Sequence, residues 1–145
     1  MKVVIQRSLN SHVEVLNKIV GKIDKGMVLL VCCEKGDDED TVRKCAEKIV
    51  KLRIFSDPES GKMNQDITSI GGEFLAISQF TLSWDGSKGN RPSFDNSLEP
   101  ELAQQYFNLF CEYLSQTAKV ETGRFGEMMK VKVENDGPVT FSLAF

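Results

Sequence analysis

Few side chains in this 145-residue chain are suited to acid–base, nucleophilic or metal chemistry. The one histidine, His12, stands among strand-like residues near the N-terminus. A Ser-His-Asp hydrolase would have to use it, with Ser78 and Asp136 as the partners such a triad needs. A lone histidine on a strand is more often structural or exposed. The four cysteines, Cys32, Cys33, Cys45 and Cys111, lack CxxC spacing, and no His, Cys and carboxylate group has ligand spacing. No metal site is expected. Cys32 and Cys33, adjacent on an extended segment, point to opposite faces and read as core thiols. Gly71-Gly72 and Gly86-Ser87-Lys88-Gly89 match neither the Walker loop nor the dinucleotide fingerprint, so no cofactor is expected.

Two stretches are left. Ser78-Gln79-Phe80-Thr81-Leu82 ends an apolar segment and opens into a long loop rich in Gly, Ser and Asp, Trp84 to Asn96. Loops of that length are commonly functional. Read as strand, Ser78 and Phe80 face one way and Gln79 and Thr81 the other; the plain reading is the polar end of a buried strand. The chemical reading is a hydrolase, because backbone N–H groups at a strand end form an oxyanion hole without any charged side chain. Thr81 is a conceivable nucleophile, but nothing near it in sequence would activate it. The second stretch is Asn135-Asp136-Gly137-Pro138-Val139-Thr140, within residues that read as strand. Proline cannot donate to a ladder and belongs at edges, strand starts or bulges. Asn-Asp-Gly is turn chemistry, so a hairpin turn between two short strands is one reading. A backbone feature held for function is the other. Phe125, Met128 and Met129 fit either a ligand pocket or, more commonly, core.

The elements that must hold these residues are legible from periodicity. Val3 and Ile5, Val13 and Val15, and Ile19 to Ile23 alternate as strands, and the run Met27 to Cys33 suggests a strand buried on both faces. Asp37-Asp38 caps a helix of about residues 38 to 51, with Val42, Cys45, Ala46 and Ile49 on one face. Leu52 to Phe55 is a short strand, residues 61 to 64 a polar loop, and Glu73 to Leu82 a longer strand. Pro100 opens a second helix to about residue 117, with Leu102, Tyr106, Phe110 and Tyr113 or Leu114 as its apolar stripe. Two helices against eight or so strands mean a mixed, layered α/β domain. The length fits one domain, residues 1–145, with 41% hydrophobic residues. The start is neither a signal peptide nor a membrane span, and the thiols read as reduced, in a cytoplasmic protein. A net charge of −3 argues against a broad grip on nucleic acid. Local basic clusters, Lys88 with Arg91 and Arg124 with Lys130 and Lys132, read as solvated surface.

SQFTL at 78–82 and NDGPVT at 135–140 resemble the two defining motifs of the D-aminoacyl-tRNA deacylase family. Gln6-Arg7, EKGD at 34–37, LRIF at 52–55, GKMN at 61–64, KGNRPSF at 88–94 and ETGRFG at 121–126 stand in family order. The resemblance implies a layered β/β/α fold and a cytoplasmic homodimer. It implies hydrolysis, without metal, of the ester joining a D-amino acid to the 3′-terminal adenosine of tRNA. It also implies a cis Gly137-Pro138 bond, a state held by only about 5–6% of X-Pro bonds, on a loop that enters the partner's active site. The two carbonyl oxygens would then accept hydrogen bonds from the substrate ammonium and leave no room for an L side chain. Glycine, with no side chain, would escape this filter, so glycyl-tRNA would be cleaved too. Gly137 permits the close backbone approach.

By the same resemblance the Phe80 N–H is the oxyanion donor, Ser78 and Gln79 shape the pocket, and the substrate's 2′-hydroxyl assists, which selects RNA over DNA. Phe125 and Met129 match residues near the adenosine, and Arg7 would steady the partner's Gly-Pro loop. The chain departs from the family at Ser83-Trp84-Asp85-Gly86-Ser87, where an aromatic-Ala-Asp run and a Thr are common, and at Cys32, where glycine is usual. Neither departure touches the two motifs, but the first bears on contacts to tRNA.

Overall fold

A computed structural model describes residues 1–87 and 89–145; Lys88, expected in a basic cluster and in the KGNRPSF motif, lies outside the described residues. The chain opens with β1 (Lys2–Ser8), β2 (Ser11–Val15), β3 (Lys18–Ile23) and β4 (Gly26–Cys32), where alternation and the apolar run predict strands. There follow α1 (Glu39–Val50), β5 (Phe55–Ser56), β6 (Met63–Gln65), β7 (Glu73–Ser78), a 3₁₀ turn (Phe80–Ser83), α2 (Pro100–Ser115), β8 (Val120–Thr122), β9 (Lys130–Lys132) and β10 (Asn135–Ala144). A five-stranded sheet runs β10-β1-β4-β7-β8, a three-stranded one β3-β2-β9, and β5 pairs with β6. β4 and β7 are parallel, as are β7 and β8.

Strand alternation builds the layers. From β4, Met27, Leu29 and Val31 join Val42, Cys45 and Ile49 of α1 and Phe107, Phe110 and Leu114 of α2 in one core. Val28, between them in sequence, joins Val13 and Ile23 from the small sheet in a second core, with Leu75 and Ile77 of β7. The central strands β4 and β7 are thus buried on both faces, by the two helices on one side and the small sheet on the other, while the edge strand β10 stays largely exposed. This is the expected β/β/α arrangement. Fully buried side chains such as Phe110 and Ile49 each stabilise the fold by about 1.5–3 kcal/mol. No helix among the described residues is long and apolar enough to cross a membrane.

Asp38 caps α1 as expected, its Oδ1 accepting from the Thr41 N–H at 2.8 Å. Four local expectations differ. β7 stops at Ser78, and Phe80–Ser83 coils into the 3₁₀ turn, so the alternation of Ser78 to Thr81 across a strand does not occur. The buried seam of α2 runs through Phe107, Phe110 and Leu114, with Ala103 and the expected Tyr106 packed partly buried beside it; Leu102 alone of the expected stripe turns outward, because α2 presents Ala103 and Phe107 to α1 and the sheet. Leu52 to Ile54 lie outside any strand, and part of the expected polar loop is β6. Asn135 to Thr140 forms no hairpin, because both of its flanks pair with the same strand.

Candidate active site

The parallel strands β4 and β7 end side by side, Val31 opposite Ser78. The carboxyl ends of parallel strands are where open α/β sheets place ligands. Here they floor a cavity of about 430 Å³. Cys32, Cys33, Ser78, Gln79 and Phe80 form the floor, while Pro100, Ala103 and Phe107 of α2 close one side. Two aromatic pairs wall it: Phe80 meets Phe94 edge to face at 5.0 Å, and Phe107 meets Phe125 tilted at 6.2 Å. These flat faces suit a planar heterocycle.

The Gln79 N–H makes the last rung, donating to the Val31 carbonyl at 2.7 Å. Past it the chain coils, and the first N–H groups of a helical turn have no acceptor within it. Those of Phe80 and Thr81 find none among the described residues. An unfilled backbone donor beside the cavity is the raw material of an oxyanion hole. The Thr81 hydroxyl lies outside the cavity lining and receives the Gln79 side-chain amide at 2.5 Å, with no base beside it. Burial pushes the Cys32 thiol up to about 11 and Cys33 to about 12, so neither is a thiolate at neutral pH. His12 is held in the small sheet by Glu14 at 3.1 Å and Asp136 pairs with Arg7, so the His12-Ser78-Asp136 triad is not assembled. Among the described residues no three His, Cys, Asp or Glu side chains gather to hold a metal ion.

The second motif lies on β10. Gln6 pairs with Thr140 and Ser8 with Asn135, so residues 136 to 139 bulge out opposite Arg7 alone. The Gly137-Pro138 bond in the bulge is cis, and Gly137 has φ +117°. The Asn135 side-chain amide closes its base, donating to the Val139 carbonyl at 3.1 Å and the Arg7 carbonyl at 2.9 Å. Arg7 Nη1 donates to the Ile54 carbonyl at 2.8 Å. Its Nε lies 2.9 Å from Asp136 Oδ2, a charge pair whose N–H is not aimed at the carboxylate and stays without an acceptor. Within one chain, Arg7 therefore props its own bulge.

Residues 4–144 match the family model described as D-Tyr-tRNA(Tyr) deacylase. The chain belongs to this deacylase family. A D-aminoacyl-tRNA deacylase of Persephonella marina is 52% identical over 141 residues, covering 97% of this chain and 95% of its own. One of Teredinibacter turnerae is 50% identical over 144 residues, covering 99% of each. The solved structure titled c-Myc DNA Unwinding Element Binding Protein superposes with a TM-score of 0.94 at 35% identity, over 100% of this chain and 99% of that one.

Of the residues expected at the deacylase site, the fold gathers Ser78, Gln79, Phe80 and Phe125 around one cavity. Met129 is elsewhere: it packs between the sheets with Val13 and Leu75, because it sits behind Gly123, where a Cβ would collide with its sulfur. Gly137 and Pro138 are also away from this cavity within one chain. Sequence reasoning missed Phe94, Leu98, Ala103 and Phe107. The Ala103-Phe107-Phe110-Leu114 spacing was a readable alternative helix register, whereas Phe94 lay in a loop with no periodic signal.

Proposed function

We propose that this chain hydrolyses the ester of D-aminoacyl-tRNA, and of glycyl-tRNA, in the cytoplasm. Residues 1–145 act as one domain in a homodimer, and L esters are refused by the Gly137-Pro138 segment. The observation that carries this reading is the aromatic-walled cavity at the ends of β4 and β7, which offers an unfilled backbone N–H and no ionised nucleophile. Family membership and the names of the relatives support the substrate class.

The terminal adenosine stacks among Phe94, Phe107 and Phe125, with the ester carbonyl toward the Phe80 N–H. Water adds to the carbonyl carbon and its electrons move to the oxygen. The tetrahedral centre then collapses, the C–O3′ bond breaks, and the water's proton ends on the 3′-oxygen. A single oxyanion donor contributes about 10²–10³ in rate. The substrate's own 2′-hydroxyl orients the attack and restricts the enzyme to RNA.

The sheet register supports a filter supplied by the other subunit. Ser78 is level with Val31 and Val3, whereas the bulge is level with Arg7 and Met27. Four residues along the strands and three strands across put the bulge on the order of 19 Å from Ser78 in the same chain. A bulge that distant does not line its own cavity, which supports a role at a partner's. The test is a mixed dimer of one Gly137→Ala subunit and one subunit altered at Phe80, where one composite site should keep both intact elements. Half of wild-type activity is expected; complete inactivity would count against the exchange.

A further inference from the structure

A second cavity, of about 320 Å³, is lined by Ser83, Trp84, Asp85, Ser93, Asp95 and Asn96 among others. Phe80 and Phe94 belong to the first cavity, and their sequence neighbours Ser83, Ser93 and Asp95 to the second. The 3₁₀ turn links them, Phe80 at one end and Ser83 at the other, about 6 Å apart along its axis. That is within the reach of one nucleotide.

Ser83 is 1% exposed and its hydroxyl has no hydrogen-bond partner among the described residues. A buried hydroxyl left unpaired in a cavity wall calls for an external partner. Beside it Trp84 is 43% exposed, a large indole face open to solvent. Asp85 Oδ1 accepts from the Ser87 N–H at 2.9 Å and its hydroxyl at 2.8 Å, and these bonds hold the carboxyl below its usual range and therefore ionised. Asp95 Oδ2 accepts from the Ser93 hydroxyl. The other oxygen of each carboxylate has no hydrogen bond among the described residues.

We propose that this cavity binds the base of the nucleotide preceding the terminal adenosine, a cytosine in every tRNA; the inference rests on the deacylase reading. The chemistry on the wall matches cytosine. Carboxylate oxygens accept from an exocyclic amine, as Asp and Glu do from cytosine N4. The Ser83 hydroxyl and the Asn96 amide donate to the ring nitrogen and carbonyl. Trp84 supplies the stacking face. Two carboxylates disfavour a phosphate, so the base enters and the backbone stays outside. Uracil would turn a carbonyl oxygen toward the carboxylates and is rejected.

The test is calorimetry with three non-hydrolysable analogues carrying D-tyrosine on a 3′-amide: adenosine alone, cytidylyl-adenosine and uridylyl-adenosine. The cytidylyl analogue should bind about tenfold or more tighter than adenosine alone. Uridylyl-adenosine should show little of this gain, and Trp84→Ala and Asp95→Asn should each reduce it. Equal gains for the two dinucleotides would mean that only the backbone is held and would overturn the base site. No gain from either, with the adenosine analogue bound, would overturn the inference and leave the deacylase reading standing. No binding of any analogue would overturn both.

Discussion

Replacing Gly137 with alanine tests the bulge from structure outward. A Cβ there would stand 2.7 Å from Val139 Cγ2 and 2.8 Å from Arg7 Nη2, closer than real Cβ contacts come. Both neighbours are ends of side chains and can shift, but Arg7 can do so only by loosening its bond to the Ile54 carbonyl and its pairing with Asp136. The backbone cannot shift as cheaply. Its φ of +117° is one that a residue with a side chain adopts only at a cost of about 1–3 kcal/mol. A loss of roughly 2 kcal/mol is therefore expected, or about 4–8 °C in unfolding temperature for a chain of this size. Urea denaturation would show it as a lower midpoint at unchanged slope. Turnover of a D-aminoacyl-tRNA should fall with it, at a temperature where the variant remains folded. A midpoint within about 0.5 kcal/mol of wild type, together with unchanged turnover, would refute the claim that this position requires glycine.

Other outcomes follow from the same geometry. The buried Ser11 hydroxyl lies 2.5 Å from that of Ser8 and accepts the Glu134 N–H at 2.9 Å; Ser11→Ala should cost about 1–3 kcal/mol in chemical denaturation by orphaning the Glu134 N–H, since the Ser8 hydroxyl keeps the Leu9 and Glu134 carbonyls as acceptors. Cys32 is raised from 9.0 to about 11 by burial, so at pH 8 it should alkylate roughly a hundredfold more slowly in the folded protein than in urea. For the same reason the thiols favour the folded chain below pH 9.0, and that stabilisation should disappear as pH rises through about 11. His12→Ala should keep deacylation near wild type, because the His12 side chain is bonded to Glu14 in the small sheet, away from the cavity; loss of activity would revive a triad.

Much of this architecture was legible because its residues carry strong periods. The doubly buried β4, the flanking alternating strands and α1 with its Asp38 cap all declare themselves locally. What was illegible depends on partners distant in sequence. SQFTL alternates like a strand, yet the ladder to β4 runs out at Ser78 and the chain coils beyond it. Asn-Asp-Gly has turn chemistry, but only the pairing of both flanks with β1 makes it a bulge. Leu102 and Ala103 are both apolar, and tertiary packing alone turns Ala103 rather than Leu102 inward on α2. Met129 and Phe125 sit four residues apart, yet one packs between the sheets and the other lines the cavity.

The central claim is that this chain cleaves an aminoacyl ester on tRNA and chooses by chirality. Deacylation of matched D-Tyr-tRNA and L-Tyr-tRNA by the purified protein, with Gly-tRNA alongside, tests it most directly. The account predicts release of D-tyrosine and glycine with the L ester left intact. Equal cleavage of the D and L esters would contradict the Gly137-Pro138 filter, and no cleavage of any of the three would contradict the catalytic reading itself.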